Sequence, residues 1–163
     1  MGKRTTAPRD RWSPVARRLW TDEWFMSLGP PPCTPHTVWF ALLTALPSPV
    51  PGIAPVGPSW LAEKCGWNAD ELASALEPLV SAGKVRISTY PPLIWLRNAI
   101  RYQQPSNPDH ATSMGAEAAA LPECALRDEA LMGIASAIGD DVRRAAFQRG
   151  CGSAWPRASA HGG

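Results

Sequence analysis

The stretch SWLAEKCGWNADELASALEPLVSAGKVRISTYPPLIWLRNAIRYQ, Ser59 to Gln103, decides the fold. Its best local signals lie in the middle. Asn68-Ala69-Asp70-Glu71 is a capping box, in which Asn68 is set to accept from the backbone N–H near Glu71 and Glu71 to reach back. Trp67 precedes the cap and Leu72 holds the fourth helical position, the spacing of a hydrophobic staple. Leu72, Leu76, Leu79 and Val80 recur at helical spacing. Gly83 stands where a left-handed C-cap is expected. Pro78 conflicts with the pattern. Inside a helix it removes one backbone bond and crowds the carbonyl four residues back, which predicts a kink or an early end.

The helix before this one spans about Ser59 to Cys65, with Leu61 and Ala62 inward and Gly66 supplying the turn. After Gly83 the period shifts to two. Lys84-Val85-Arg86-Ile87-Ser88 alternates as a half-buried strand does, Thr89–Pro92 is a turn, and Leu93–Leu96 is the return strand. Helix, tight turn, longer helix and basic hairpin form the order of a winged helix-turn-helix, with the hairpin as the wing. Upstream, Thr34 as cap and Pro35 at the first position start a helix with Val38, Trp39, Leu42, Leu43 and Leu46 on one face. The Pro/Gly-rich connection from Pro47 to Pro58 is long, and Ile53 and Val56 can form a short strand beside the wing. Thr21 is the expected cap of a further helix near Asp22–Leu28, with Trp20 stapled to Phe25.

The fold class expected is therefore mostly α with a small β-hairpin (α+β), a winged helix-turn-helix with flanking helices. Residues 1–18 form a basic flexible arm, 19–104 the winged helix-turn-helix domain, 105–141 a C-terminal helical extension and 142–163 a disordered basic tail.

The net charge of +2 conceals strong segregation. Residues 1–18 hold six Lys/Arg against one acid, and 19–83 hold Lys64 against six acids. Residues 84–104 hold Lys84, Arg86, Arg97 and Arg101 with no acid, while 105–141 hold Arg127 against seven acids. The tail from Val142 adds Arg143, Arg144, Arg149 and Arg157. A cation placed on a phosphate releases counterions and adds salt-dependent affinity. Double-stranded DNA is thus the expected partner. The candidate contacts are Lys84, Arg86, Arg97 and Arg101 of the wing region, Lys64 and Asn68 around the turn, and Arg17 and Arg18 of the arm. The second helix of the motif is not basic. Asp70, Glu71 and Glu77 would face a phosphate-lined groove at a cost, which argues against simple major-groove reading.

Beyond the wing come Asn98, Tyr102-Gln103, Pro105-Ser106-Asn107-Pro108 and Leu121-Pro122-Glu123-Cys124, then two Ala-rich helical stretches at about Ala111–Ala120 and Leu126–Ile138. An apolar-Trp-apolar-x-Asn strand followed by Tyr-Gln-x-Pro-x-Asn-Pro and Leu-Pro-Glu-Cys resembles phage and prophage proteins. These are similar to the N-terminal winged-helix part of DnaD-like replication initiation proteins. The resemblance covers about Leu19 to Leu126. It implies a phage-type factor in DNA replication initiation, with a replicative helicase or its loader as protein partner. Members with a full replication role carry a second helical domain or an extended tail after the winged helix, and helicase recruitment is associated with that part.

Two alternatives share the fold: a transcriptional regulator, which would be a homo-oligomer reading a palindrome, and a protein-interaction winged helix without DNA contact. Enzyme function is not expected. The sequence has no Walker A loop, no dinucleotide glycine pattern and no paired metal-ligand motif, so no cofactor or metal is expected either. His36, His110 and His161 read as solvated. Cys33, Cys65, Cys124 and Cys151 lack ligand spacing and read as reduced thiols, some buried. Trp24, Trp39 and Trp95 fall on apolar faces and are expected in the core. Trp12 and Trp155 fall in basic segments and could stack on bases. No apolar run spans a membrane and no signal peptide is recognisable, which points to the cytoplasm, that of a bacterial host if phage-encoded.

Overall fold

The computed structural model describes the backbone of residues 17–156 and the side chains from residue 19 onward. Among these residues the chain is a mixed α+β fold with seven α-helices and one three-stranded antiparallel sheet. The order is α1 (Glu23–Ser27), α2 (Pro35–Ala45), β1 (Ile53–Ala54), α3 (Pro58–Cys65), α4 (Ala69–Ser81), β2 (Val85–Ser88) and β3 (Leu93–Leu96). It continues with α5 (Pro108–Ala119), α6 (Ala125–Ala137) and α7 (Asp141–Cys151). The strands lie in the order β1-β3-β2, so β3 is central.

Local chemistry accounts for most boundaries. Thr34 caps α2 by accepting from the Thr37 N–H, and Pro35 opens the helix where its missing N–H costs nothing. Gly66 ends α3 in the left-handed region at φ +71°, which a side chain would resist. Asn68 caps α4, but its Oδ1 accepts from Asp70 N–H at 2.8 Å rather than from the amide of Glu71. Asp22, not Thr21, caps α1, accepting from Phe25 N–H at 2.9 Å. Trp20 still meets Phe25, edge to face with ring centroids 5.7 Å apart.

Pro78 neither stops α4 nor ends it early; the helix runs on to Ser81. Both Pro78 and Ser74, whose carbonyl loses its partner, lie on the exposed face. Solvent can take that carbonyl, so the loss is small.

The sheet separates two apolar cores. On one side Val85, Ile94 and Leu96 join Val38, Leu42, Leu61, Leu72 and Leu76 from α2, α3 and α4. On the other Ile53, Leu93 and Trp95 join Ala111, Met114, Leu131, Ile134 and Phe147 from α5, α6 and α7. Alternation along β3 divides its four residues between the cores, and all four are buried.

The expectation of a disordered tail from Val142 is overturned for its first ten residues, because Asp141–Cys151 is helix. Asp140 Oδ1 accepts from Arg143 N–H at 2.8 Å and caps it. The helix lies close against α5. A Cβ on Gly115 would stand 2.1 Å from the Phe147 carbonyl oxygen, and one on Gly150 would stand 2.1 Å from that of Thr112. Only glycine permits this approach. The helical extension accordingly reaches Cys151 rather than stopping at residue 141. Residues 1–16 and 157–163, with most of the expected arm and the end of the tail, lie outside the described residues.

Candidate nucleic-acid interface

The hairpin register determines where its cations go. Val85 pairs with Leu96, Arg86 with Trp95 and Ile87 with Ile94. Arg86 therefore shares the face of Trp95, which α6 covers. Its Nη1 donates to Glu129 Oε1 at 3.0 Å. Both side chains are about half exposed, so the pair is worth at most about 1 kcal/mol. Arg86, expected as a free phosphate contact, is thus held by a carboxylate of the acidic segment. The pair is weak enough for a stronger anion to open.

Lys84, Arg97 and Arg101 are brought together. They line one cleft of about 400 Å³ between the end of α4, the foot of the hairpin and α6. Trp95, Asn98 and Ser136 also line it, and among the described residues no carboxylate does. Among the described residues none of the three cations makes an ion pair. Backbone bonds fix the two strand ends that carry them. Arg97 N–H donates to the Lys84 carbonyl at 3.2 Å, and Lys84 N–H to the Leu79 carbonyl at 3.0 Å. Gly83, at φ +66°, makes the turn between α4 and β2. The Arg97 guanidinium lies over the Trp95 ring, 5.7 Å from its centroid, and Nη1 is 3.6 Å from where a Gly83 Cβ would stand. Arg101 follows on a 3-10 turn, Ala99–Arg101, whose Ile100 is anchored in the second core.

The remaining sequence candidates are placed elsewhere. Lys64 is half-buried in the last turn of α3 and does not line the cleft. Asn68 is exposed, but its side-chain oxygen is engaged in the α4 cap. Arg17 and Arg18 begin a 3-10 turn, Arg17–Thr21. Asp70, Glu71 and Glu77 are all exposed along α4, so that helix presents acid, as the sequence predicts.

Of the tryptophan expectations, that for Trp95 holds and those for Trp24 and Trp155 need revision. Trp95 is core, 2% exposed, and its indole N–H is buried without an acceptor. Trp24 is not core: at 70% exposed it projects from α1, a helix too short to turn its whole apolar set inward. Trp155 does not lie in a free segment but packs on the second core, because α7 carries the chain back there. Sequence reasoning missed Ser136 and Gly133. A Cβ on Gly133 would stand 2.6 Å from the Trp95 ring, so glycine lets α6 close directly over that ring. A glycine inside a helical run was the available signal.

Burial pushes the thiols of Cys65 and Cys151 up to about 11. Cys33 is raised too, by burial and then by the Glu71 carboxylate. All four cysteines are free. Among the described residues no group of His, Cys, Asp and Glu could hold a metal ion, and no helix is long and apolar enough to cross a membrane. Set against protein-family models, curated proteins and solved structures, the chain matches none of them.

Proposed function

We propose that this protein binds double-stranded DNA through phosphate contacts made by Lys84, Arg97 and Arg101. The observation that carries the reading is the convergence of three unpaired cations on one carboxylate-free cleft. Like charges gathered without partners repel, and an anion on them removes that cost. The order helix, strand, helix, helix, strand, strand from Pro35 to Leu96 supports reading this part as a winged helix-turn-helix. The acidic surface of α4 supports backbone contact beside the hairpin rather than insertion of that helix in a groove. A role in phage-type replication initiation rests on the resemblance over Leu19–Leu126. A second reading, protein contact by the same fold, is favoured by exposed Trp24, Leu28, Phe40 and Leu43 on and beside α1 and on α2.

Fluorescence anisotropy with a random-sequence duplex across a salt series tests the first reading. Three phosphate contacts predict a log–log salt slope of about −2.7. Absence of binding at low salt overturns it.

A further inference from the structure

A passing DNA backbone lies on a flat surface, whereas Lys84, Arg97 and Arg101, all exposed, stand around a half-open cleft. The cleft of about 400 Å³ is walled by α6 through Gly133, Ser136 and Ala137 on one side. Across from it stand the end of α4 and the foot of the hairpin, with Gly83, Lys84 and Arg97. A water's share of liquid volume is about 30 Å³, so there is room for far more than a phosphate group. The chemistry of the lining is one-sided. Lys84, Arg97 and Arg101 bring three positive charges and only donor hydrogens, and Asn98 and Ser136 can donate as well. A phosphodiester inside a strand carries one negative charge. A phosphate monoester carries about −1.5 to −2 near neutral pH, which matches three cations better. Arginine's fork also suits the several oxygens of a terminal phosphate, which can accept bidentate bonds. The Arg97 guanidinium lies against the Trp95 ring, and the backbone bonds of Arg97 N–H and Lys84 N–H fix the strand ends from which these two side chains leave.

We infer that the Lys84–Arg97–Arg101 cleft is a binding site for a phosphate monoester of nucleotide size. This deepens the duplex-binding reading, since the same cations carry both. The monoester has two sources, a free mononucleotide or the phosphorylated end of a DNA strand, and both present the same dianion.

Two-dimensional amide NMR of the full chain tests it, titrated with inorganic phosphate, thymidine 5′-monophosphate, thymidine, and a short DNA strand with or without a 5′-phosphate. Saturable shifts at Gly83, Lys84, Asn98 and Gly133 are expected with the phosphorylated probes, none with thymidine, and weaker ones with the unphosphorylated strand, whose internal phosphodiesters carry a single charge each. A tighter response to the phosphorylated strand than to the mononucleotide assigns the site to DNA ends, and the reverse assigns it to small molecules; either supports the inference. Arg97→Gln with Arg101→Gln should weaken binding at least about tenfold, the loss expected for charge-assisted hydrogen bonds. Arg149→Gln, exposed on α7, should change nothing, and the spectra themselves report that each variant is folded. Equal shifts with thymidine, no saturable shift, or undiminished binding by the double variant would overturn the inference. Monophosphate binding without duplex binding leaves the inference standing and removes the duplex reading. Duplex binding without monophosphate binding does the reverse.

Discussion

Arg127, Arg143 and Arg144, around the C-terminal helices, bond inward, while the cations at the foot of the hairpin do not. Arg127 is 6% exposed and divides its guanidinium between Asp128 and the Leu121 carbonyl. Arg144 donates to the carbonyls of Ala135 and Ile138 and to Asp141, satisfying the end of α6 where unpaired carbonyls collect. Arg143 reaches the Pro105 carbonyl at 2.6 Å. The side chains of Lys84, Arg97 and Arg101 have no such acceptors among the described residues. The two regions are similarly rich in cations by sequence, and only the placement of acceptors separates a structural set from an available one. Charge counts alone do not locate a binding face.

The largest expected effect comes from disturbing the structural region. Gly150→Ala places a methyl against the Thr112 carbonyl and should destabilise the protein by about 1–3 kcal/mol, read by urea unfolding. Thiol labelling makes the comparison sharper, since Cys151 lies in the second core and Cys65 in the first. The Cys151 thiol should become reactive at lower urea than Cys65 in this variant. Simultaneous labelling would mean that the two cores open as one.

A smaller effect concerns the ion pair that links the regions. Glu129→Gln frees Arg86 from its carboxylate and should raise duplex affinity a fewfold, with stability changed by less than about 1 kcal/mol. A drop in affinity would show that the pair positions Arg86 rather than withholding it.

The smallest effect is at acid pH. The backbone N–H of Arg143 holds the Asp140 carboxyl below the usual carboxylate range. A lowered folded value means stability that is full above the unfolded pKa and is lost as pH falls through the folded one. Protection of the first amides of α7 should therefore weaken below about pH 4, and Asp140→Asn should flatten that dependence. An unchanged pH profile in Asp140→Asn would remove the cap from the account.

Legibility in the sequence followed the size of the signal. The caps at Thr34 and Asn68, the turn at Gly83 and the alternation of Val85–Ser88 rest on local chemistry within a few residues, and each element formed where the pattern put it. The second core was hidden for a physical reason. It is built on small side chains, with Ala111, Gly115, Ala118, Ala146 and Gly150 giving close approach in place of a bulky apolar stripe. The basic run Arg143-Arg144 also made α7 resemble a solvated tail. One clue was present: Leu93-Ile94-Trp95-Leu96 has no polar position, as suits a strand covered on both faces, and it implied a second layer over the sheet. Of the candidate site, the basic residues were legible as a set. Which of them stay unpaired depends on contacts such as Arg86 with Glu129, 43 positions apart, that no local pattern encodes.

The central claim is that unpaired cations, not cations in general, make the interface. Salt-dependent anisotropy on one random duplex tests it, comparing Arg97→Gln/Arg101→Gln, Arg143→Gln/Arg144→Gln, whose guanidinium groups are bonded inward, and the unaltered chain. The cleft pair should lose about 1.8 from the magnitude of the salt slope, with the α7 pair unchanged. Equal losses in the two pairs would contradict it, and so would a larger loss in the α7 pair.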